Sequence, residues 1–86
     1  MRVRLLYFAW VRERIGRGEE EVDIPGSLVS VADLVEWLAT TRGAGYAEAF
    51  ADREQLRAAV DQRFVPLSAS IGGANEIAIF PPVTGG

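Results

Sequence analysis

The residues best placed for chemistry lie at the C-terminus, where Pro81-Pro82 is followed by Val83, Thr84 and Gly85-Gly86. The two prolines fix φ and bias each preceding residue toward extended conformations, so we expect a stiff spacer that leaves the folded domain. Glycine has no Cβ, which lets the backbone pass through a narrow channel and present an uncrowded carboxylate. The sequence therefore predicts that the Gly86 carboxylate is the reactive group and that it reaches into a neighbouring protein.

The side chains offer little chemistry of their own. The 86-residue chain contains no His, Cys or Lys, and all nine of its basic residues are Arg. Those three missing types are the commonest general bases, nucleophiles and Schiff-base formers, and a serine without a base beside it is a poor nucleophile. We therefore expect no independent catalysis, no metal site and no cofactor bound by this chain alone. The lack of cysteine also fits a cytoplasmic location.

Composition points to protein partners. The net charge is −3 and the arginines are scattered, so no basic stripe is present that would follow a nucleic-acid backbone. No apolar segment approaches the roughly 20 residues that cross a bilayer, and we expect no membrane association. The length predicts one domain, at residues 1–80, followed by an extended reactive tail at residues 81–86.

Hydrophobic periodicity predicts an α+β domain. Residues 3–11 form a near-continuous apolar run, predicted as a strand with Val3, Leu5 and Tyr7 on one face and with Leu6, Phe8 and Trp10 on the other. Further strands are predicted at residues 21–24, 56–60, 63–67 and 76–80, separated by turn residues.

One main helix is predicted to begin at Ser30, because a serine followed three residues later by Asp33 matches the capping-box pattern. The apolar residues that follow at helical spacing are Val31, Leu34, Val35 and Leu38. Gly43 is a plausible end, and residues 46–50 are a candidate second helix. A helix across one face of a mixed sheet of four or five strands predicts a β-grasp, or ubiquitin-like, roll with a flexible C-terminal Gly-Gly tail.

Three segments resemble the molybdopterin synthase small subunit family, namely YFAWVRE at residues 7–13, AAVDQRFV at residues 58–65 and FPPVTGG at residues 80–86. The resemblance implies that an E1-like adenylyltransferase uses ATP to adenylate Gly86 and that a sulfur donor protein converts it to a thiocarboxylate. The terminus would then give sulfur to cyclic pyranopterin monophosphate inside the large subunit of the synthase, in an assembly of two small and two large subunits.

The resemblance also implies a hydrophobic surface for partners, formed by Phe8, Phe64 and Phe80 and continued by residues 81–84. Phe8 would be exposed if the helix covered only the other face of its strand. The alternative is that all three phenylalanines lie in the core, as aromatic residues usually do.

Other functions stay open at this stage. A ubiquitin-like modifier would pass its adenylated terminus to a target lysine, although a chain without Lys could not build polymers on itself. A sulfur carrier for another pathway, such as thiamine synthesis, would share the Gly-Gly end. A purely structural module would not need Gly85-Gly86 at all.

Several polar and aromatic residues are predicted to have structural roles or to lie on the surface. The run Glu19-Glu20-Glu21 is predicted to be solvated, and Trp10 and Trp37 are predicted to pack. Arg12 and Glu13 are either partner contacts or ordinary surface charges. The chain departs from the family pattern at residues 73–75, before the last strand. It departs again at Asp61, which we expect to affect a turn and not the tail.

Overall fold

The structure, a computed structural model, describes residues 1–82. Its elements in chain order are β1 (Arg2–Tyr7), α1 (Ala9–Ile15), β2 (Glu19–Asp23), α2 (Val31–Thr41), α3 (Ala44–Ala49), a 3₁₀ turn (Arg53–Gln55), β3 (Arg57–Val60), β4 (Arg63–Val65) and β5 (Glu76–Phe80). The last strand has the predicted bounds, while α3, β2, β3 and β4 differ from prediction by no more than two residues at either end.

The five strands form one mixed sheet in the order β2-β1-β5-β3-β4. β1 pairs in parallel with β5 at its centre, and the other three pairings are antiparallel. The buried stripe of α2 faces the sheet residues Val3, Leu5, Ile77 and Ile79 in a single core. This arrangement confirms the predicted β-grasp roll, with the first and last strands side by side.

Helix α2 begins as its sequence predicts. The Ser30 hydroxyl accepts a hydrogen bond from the Asp33 amide at 3.1 Å, and the Asp33 carboxylate accepts one from the Ser30 amide at 3.1 Å. This reciprocal cap satisfies amides that the first turn leaves free. The helix ends at Thr41, and Gly43 starts α3 with a positive φ of 110°.

The prediction of one strand over residues 3–11 is wrong beyond Tyr7. The strand stops there, Ala9 adopts a positive φ of 52°, and α1 follows, with Val11 in the core. A short apolar run satisfies both the two-residue and the 3.6-residue period, so periodicity alone cannot separate strand from helix. Gly16 was the available signal, because it ends α1 in the left-handed conformation typical of helix C-termini.

The prediction that the whole run Glu19-Glu20-Glu21 is solvated is wrong for Glu20, whose side chain is only 6% exposed. Its carboxylate accepts hydrogen bonds from the Tyr7 hydroxyl at 2.9 Å, the Tyr46 hydroxyl at 2.6 Å and the Arg42 guanidinium at 2.7 Å. Burial alone would raise the pKa of this carboxyl, but these donors and the Arg17 guanidinium outweigh burial and lower the pKa. Glu20 thereby ties β2 to β1, α2 and α3.

Replacing Glu20 by Gln should lower the free energy of unfolding by about 1.5–3 kcal/mol, the usual range for hydrogen bonds to a charged group. The folded-state pKa lies below the ordinary value of 4.5, so the stability from the charged form is present above that value and disappears as pH falls through the lowered pKa. Urea unfolding at several pH values should therefore show a weaker acid dependence in Glu20→Gln. Glu19→Gln, which breaks only an exposed pair with Arg4, is the control, with an expected loss below about 1 kcal/mol.

A tight turn joins β3 to β4 and also anchors β5. Asp61 and Gln62 have positive φ values of 48° and 70°, as in the type I′ turns that favour two-residue hairpins. The Asp61 carboxylate accepts hydrogen bonds from the amides of Asn75 and Glu76, at 2.9 and 3.0 Å. Asp61 therefore does act at a turn, and its side chain additionally holds the start of the last strand.

Replacing Asp61 by Ala should cost about 1–3 kcal/mol of unfolding free energy, because two amides lose their acceptor and alanine disfavours positive φ. Asp61→Asn should cost less than about 1 kcal/mol, since an amide oxygen can accept the same bonds and Asn tolerates this conformation. Thermal and urea unfolding would compare the two. Equal stability of the Ala and Asn variants would show that the side chain does not anchor β5.

Candidate functional site

One face of the sheet carries α2 and the core, whereas the opposite face is open. Strand register places Leu6, Ala78, Ala59 and Phe64 in a row across β1, β5, β3 and β4 on that open face. The two alanines in the middle have small side chains, so the side chains project less from the sheet at the centre of the row than at its ends. The result is a hollow whose floor is made of alanine.

Three phenylalanines stand around this hollow. Phe8 is 49% exposed and Phe64 is 84% exposed, while Phe80 is half-buried between them. The Phe80 ring centroid lies 6.5 Å from that of Phe8 and 5.8 Å from that of Phe64, both in the range of paired aromatic rings. None of the three belongs to the core, so the alternative of three core phenylalanines is wrong.

Together these residues enclose what we call the aromatic groove, an open concavity with a volume of about 780 Å³. Its lining consists of Leu6, Phe8, Ala9, Trp10, Ala59, Gln62, Phe64, Glu76, Ala78, Phe80, Pro81 and Pro82. The presence of both prolines means that the chain passes along the groove as it leaves β5. Any protein bound in the groove would therefore lie beside the start of the C-terminal segment.

The fold explains how residues distant in sequence meet here. Phe80 ends the central strand β5, Phe64 lies on the edge strand β4, and Phe8 caps α1 where the chain turns away from β1. The positive φ of Ala9 sends the backbone into α1 directly after Phe8. Strand β1 alone would have continued along the sheet, and the open face would have lacked the wall formed by α1.

The lining of the aromatic groove is mostly apolar. Apart from the Trp10 indole, the polar side chains in its described lining are those of Gln62 and Glu76, and neither has a base or nucleophile beside it there. Among residues 1–82, no three carboxylates come close enough together to hold a metal ion. Burying the exposed part of a large apolar side chain yields about 1–3 kcal/mol, so the phenylalanines could anchor a partner.

The structure brings together five of the predicted site residues, namely Phe8, Phe64, Phe80, Pro81 and Pro82. The others, Val83, Thr84, Gly85 and Gly86, lie outside the described residues and stay predictions. Trp10 packs against the core as predicted, and it also lines the groove, a role that was not predicted for it. The signal was its position two residues after Phe8 in an apolar run.

Comparison with known proteins gives consistent results over the whole chain. Residues 5–86 match the ThiS family. The molybdopterin synthase sulfur carrier subunit of Escherichia coli (strain K12) is 37% identical over 86 residues, covering 98% of this chain and 99% of that protein. The subunit of the same name from Haemophilus influenzae is 33% identical over 84 residues, with 98% and 99% coverage.

A solved structure shows the same fold. SAMP1 from Haloferax volcanii, a small archaeal modifier protein, superposes with a TM-score of 0.70 at 23% identity and covers 100% of both chains. At this identity the likeness supports the β-grasp architecture alone.

In the part of the chain that the structure describes, no helix is long and apolar enough to span a membrane.

Proposed function

Because this chain belongs to the ThiS family, we propose that it is a sulfur carrier of molybdenum cofactor biosynthesis and the small subunit of a molybdopterin synthase. In this proposal the Gly86 carboxylate is adenylated, converted to a thiocarboxylate, and gives its sulfur to cyclic pyranopterin monophosphate in the cytoplasm. The names of the relatives from E. coli and H. influenzae support the pathway.

The observation that carries the proposal is the aromatic groove, which ends at Pro81 and Pro82. A partner anchored on the three phenylalanines would have the last four residues within its reach, since an extended segment of that length spans about 13–14 Å. Docking on a rigid surface beside the terminus would convert the reaction at Gly86 into an effectively intramolecular step. In this proposal different residues bind the partner and react, since the phenylalanines of the groove bind and the Gly86 carboxylate reacts.

The division of labour follows from the chemistry of the chain. A carboxylate is a poor acyl donor, so an E1-like enzyme would attach it to the α-phosphate of ATP with loss of pyrophosphate. A sulfur donor protein would then supply the sulfur that displaces AMP from the acyl carbon. The chain itself contains no His, Cys or Lys to catalyse either step, which explains why it needs partners. The large subunit would bind the pterin precursor and receive the loaded terminus.

Incubation with ATP, the E1-like enzyme of the same organism and a sulfide source tests this function. The intact mass should rise by about 16 Da as one carboxylate oxygen is replaced by sulfur, and fragmentation should place the gain at Gly86. Transfer of the unsulfurated terminus to lysines of other proteins would instead establish a ubiquitin-like modifier. An unchanged mass with a competent enzyme would refute the carrier function.

A further inference from the structure

The nine arginines of the chain divide into two groups. Five of them have a carboxylate oxygen within 4 Å, namely Arg2, Arg4, Arg17, Arg42 and Arg53. The other four have no such partner among the carboxylates of residues 1–82, and they are Arg12, Arg14, Arg57 and Arg63. In a chain with a net charge of −3, acidic residues outnumber arginines, so unpaired arginines are not forced by composition.

Three of these four arginines lie next to residues that line the aromatic groove. Arg12 lies four residues after Phe8, in the last turn of α1, and lines a neighbouring hollow together with Phe8 and Leu6. The Arg14 guanidinium lies 4.4 Å from the ring centroid of Trp10, a groove residue. Arg57 pairs with Phe80 across the sheet and therefore lies on the open face.

Each of these guanidinium groups has contacts that position it. Arg57 donates to the carbonyl oxygens of Glu54 and Leu56, at 3.0 and 2.8 Å. Arg12 packs its guanidinium so closely against Gly18 that a Cβ at this glycine would lie 3.1 Å from the Arg12 Cζ, and Arg14 is stacked on Trp10. Positively charged groups positioned in advance lose little conformational entropy when a partner binds.

From this arrangement we propose that the aromatic groove binds a protein surface whose apolar centre is ringed by Asp and Glu side chains. Carboxylates on the partner would pair with Arg12, Arg14 and Arg57 while the phenylalanines fill its apolar centre. Arginine suits this role because its planar guanidinium can pair with a carboxylate through two parallel hydrogen bonds. The inference rests on the proposed function, since the partners are the E1-like enzyme and the large synthase subunit.

The proposed arginine rim should act mainly on the rate of encounter. Complementary charges at the edge of an interface raise the association rate constant and make it sensitive to salt, while changing the dissociation rate less. At an ionic strength of 0.15 M the screening length is about 8 Å, so the arginine charges still attract a partner that has approached to within about this distance.

Glu76 is the one carboxylate in the described lining of the groove, so we expect the Asp and Glu side chains of the partner to lie away from Glu76.

Arg57→Gln and Arg12→Gln test the proposal, with Arg63→Gln as the matched control. Arg63 is exposed and also lacks an acidic partner among residues 1–82. It pairs with Val60, whereas the neighbouring Phe64 pairs with Ala59. Because successive strand residues face opposite sides, Arg63 lies on the face of the sheet opposite to the groove. All three variants lose one positive charge. Association and dissociation rates with each partner would be measured by surface plasmon resonance at low and high salt.

At low salt, Arg57→Gln and Arg12→Gln should each lower the association rate constant about 2–5-fold, and the difference should vanish at high salt. Arg63→Gln should change it less than about 1.5-fold. If the wild-type chain binds and all three variants behave alike with both partners, the arginine rim is refuted while the carrier function stands. If the wild-type chain binds neither partner, the proposed function fails, and this inference fails with it.

Discussion

A chain truncated after Thr84 is expected to fold normally and to lose sulfur-carrier activity completely. Removing Gly85 and Gly86 should abolish the mass gain and the ability to restore molybdenum cofactor synthesis in a strain that lacks this protein. In the proposed function the Gly86 carboxylate becomes the acyl group, whereas the truncated chain presents a Thr84 carboxylate that is two residues shorter and lies beside a β-branched side chain. The core, which is built from residues 3–79, is untouched, so the melting temperature should not change.

Gly85→Ala is the matched control for the truncation. It keeps the terminal glycine carboxylate and adds a single Cβ in the segment proposed to enter the partner's active site. We expect a slower reaction that still ends in the full mass gain. Cofactor synthesis by the truncated chain would mean that the terminus takes no part in the function.

The second large effect is expected from Phe64, the most exposed of the large hydrophobic residues in the described chain. Phe64→Ala should weaken binding to the large subunit by about 30- to 1,000-fold, equivalent to the 2–4 kcal/mol typical of an interface hot spot. The free energy of unfolding should fall by less than about 0.5 kcal/mol, because the Phe64 side chain is 84% exposed. Calorimetric titration and urea unfolding would measure the two quantities separately.

Val29→Ala is the control for this variant, because Val29 is 65% exposed but lies before α2 and not in the aromatic groove. Its removal should leave binding unchanged within about twofold, a difference of about 0.4 kcal/mol. If Phe64→Ala also binds normally, the groove is not the docking surface. The carrier function could then still be tested through the terminus alone.

Much of the architecture was predictable because its signals are local. Ser30 and Asp33 lie on either side of one helical turn, and they form the capping box that their spacing predicts. Strand β5 is bounded by the turn at residues 72–75 and by Pro81, which cannot donate to the sheet, so both of its ends were correct. The Gly-Gly terminus required no structure to be recognised.

The errors arose where the outcome depends on distant partners. Whether residues 9–11 continue a strand or start a helix is decided by Val11 packing into the core and by α3 packing against α1. The burial of Glu20 depends on hydroxyl groups 13 and 26 residues away, at Tyr7 and Tyr46. The sequence of three consecutive glutamates does not indicate which of them will accept hydrogen bonds from these tyrosines.

The aromatic groove shows the same contrast at the functional level. The amino-acid types alone establish that the chain contains no His, Cys or Lys and that its sequence has Gly85-Gly86 shortly after two prolines, because these properties do not depend on folding. The meeting of Phe8, Phe64 and Phe80 depends on folding, since it requires the parallel pairing of β1 with β5 and the packing of β3 and β4 beside them. Strand register puts two alanines between large residues, and this long-range pairing turns separate hydrophobic residues into a binding surface.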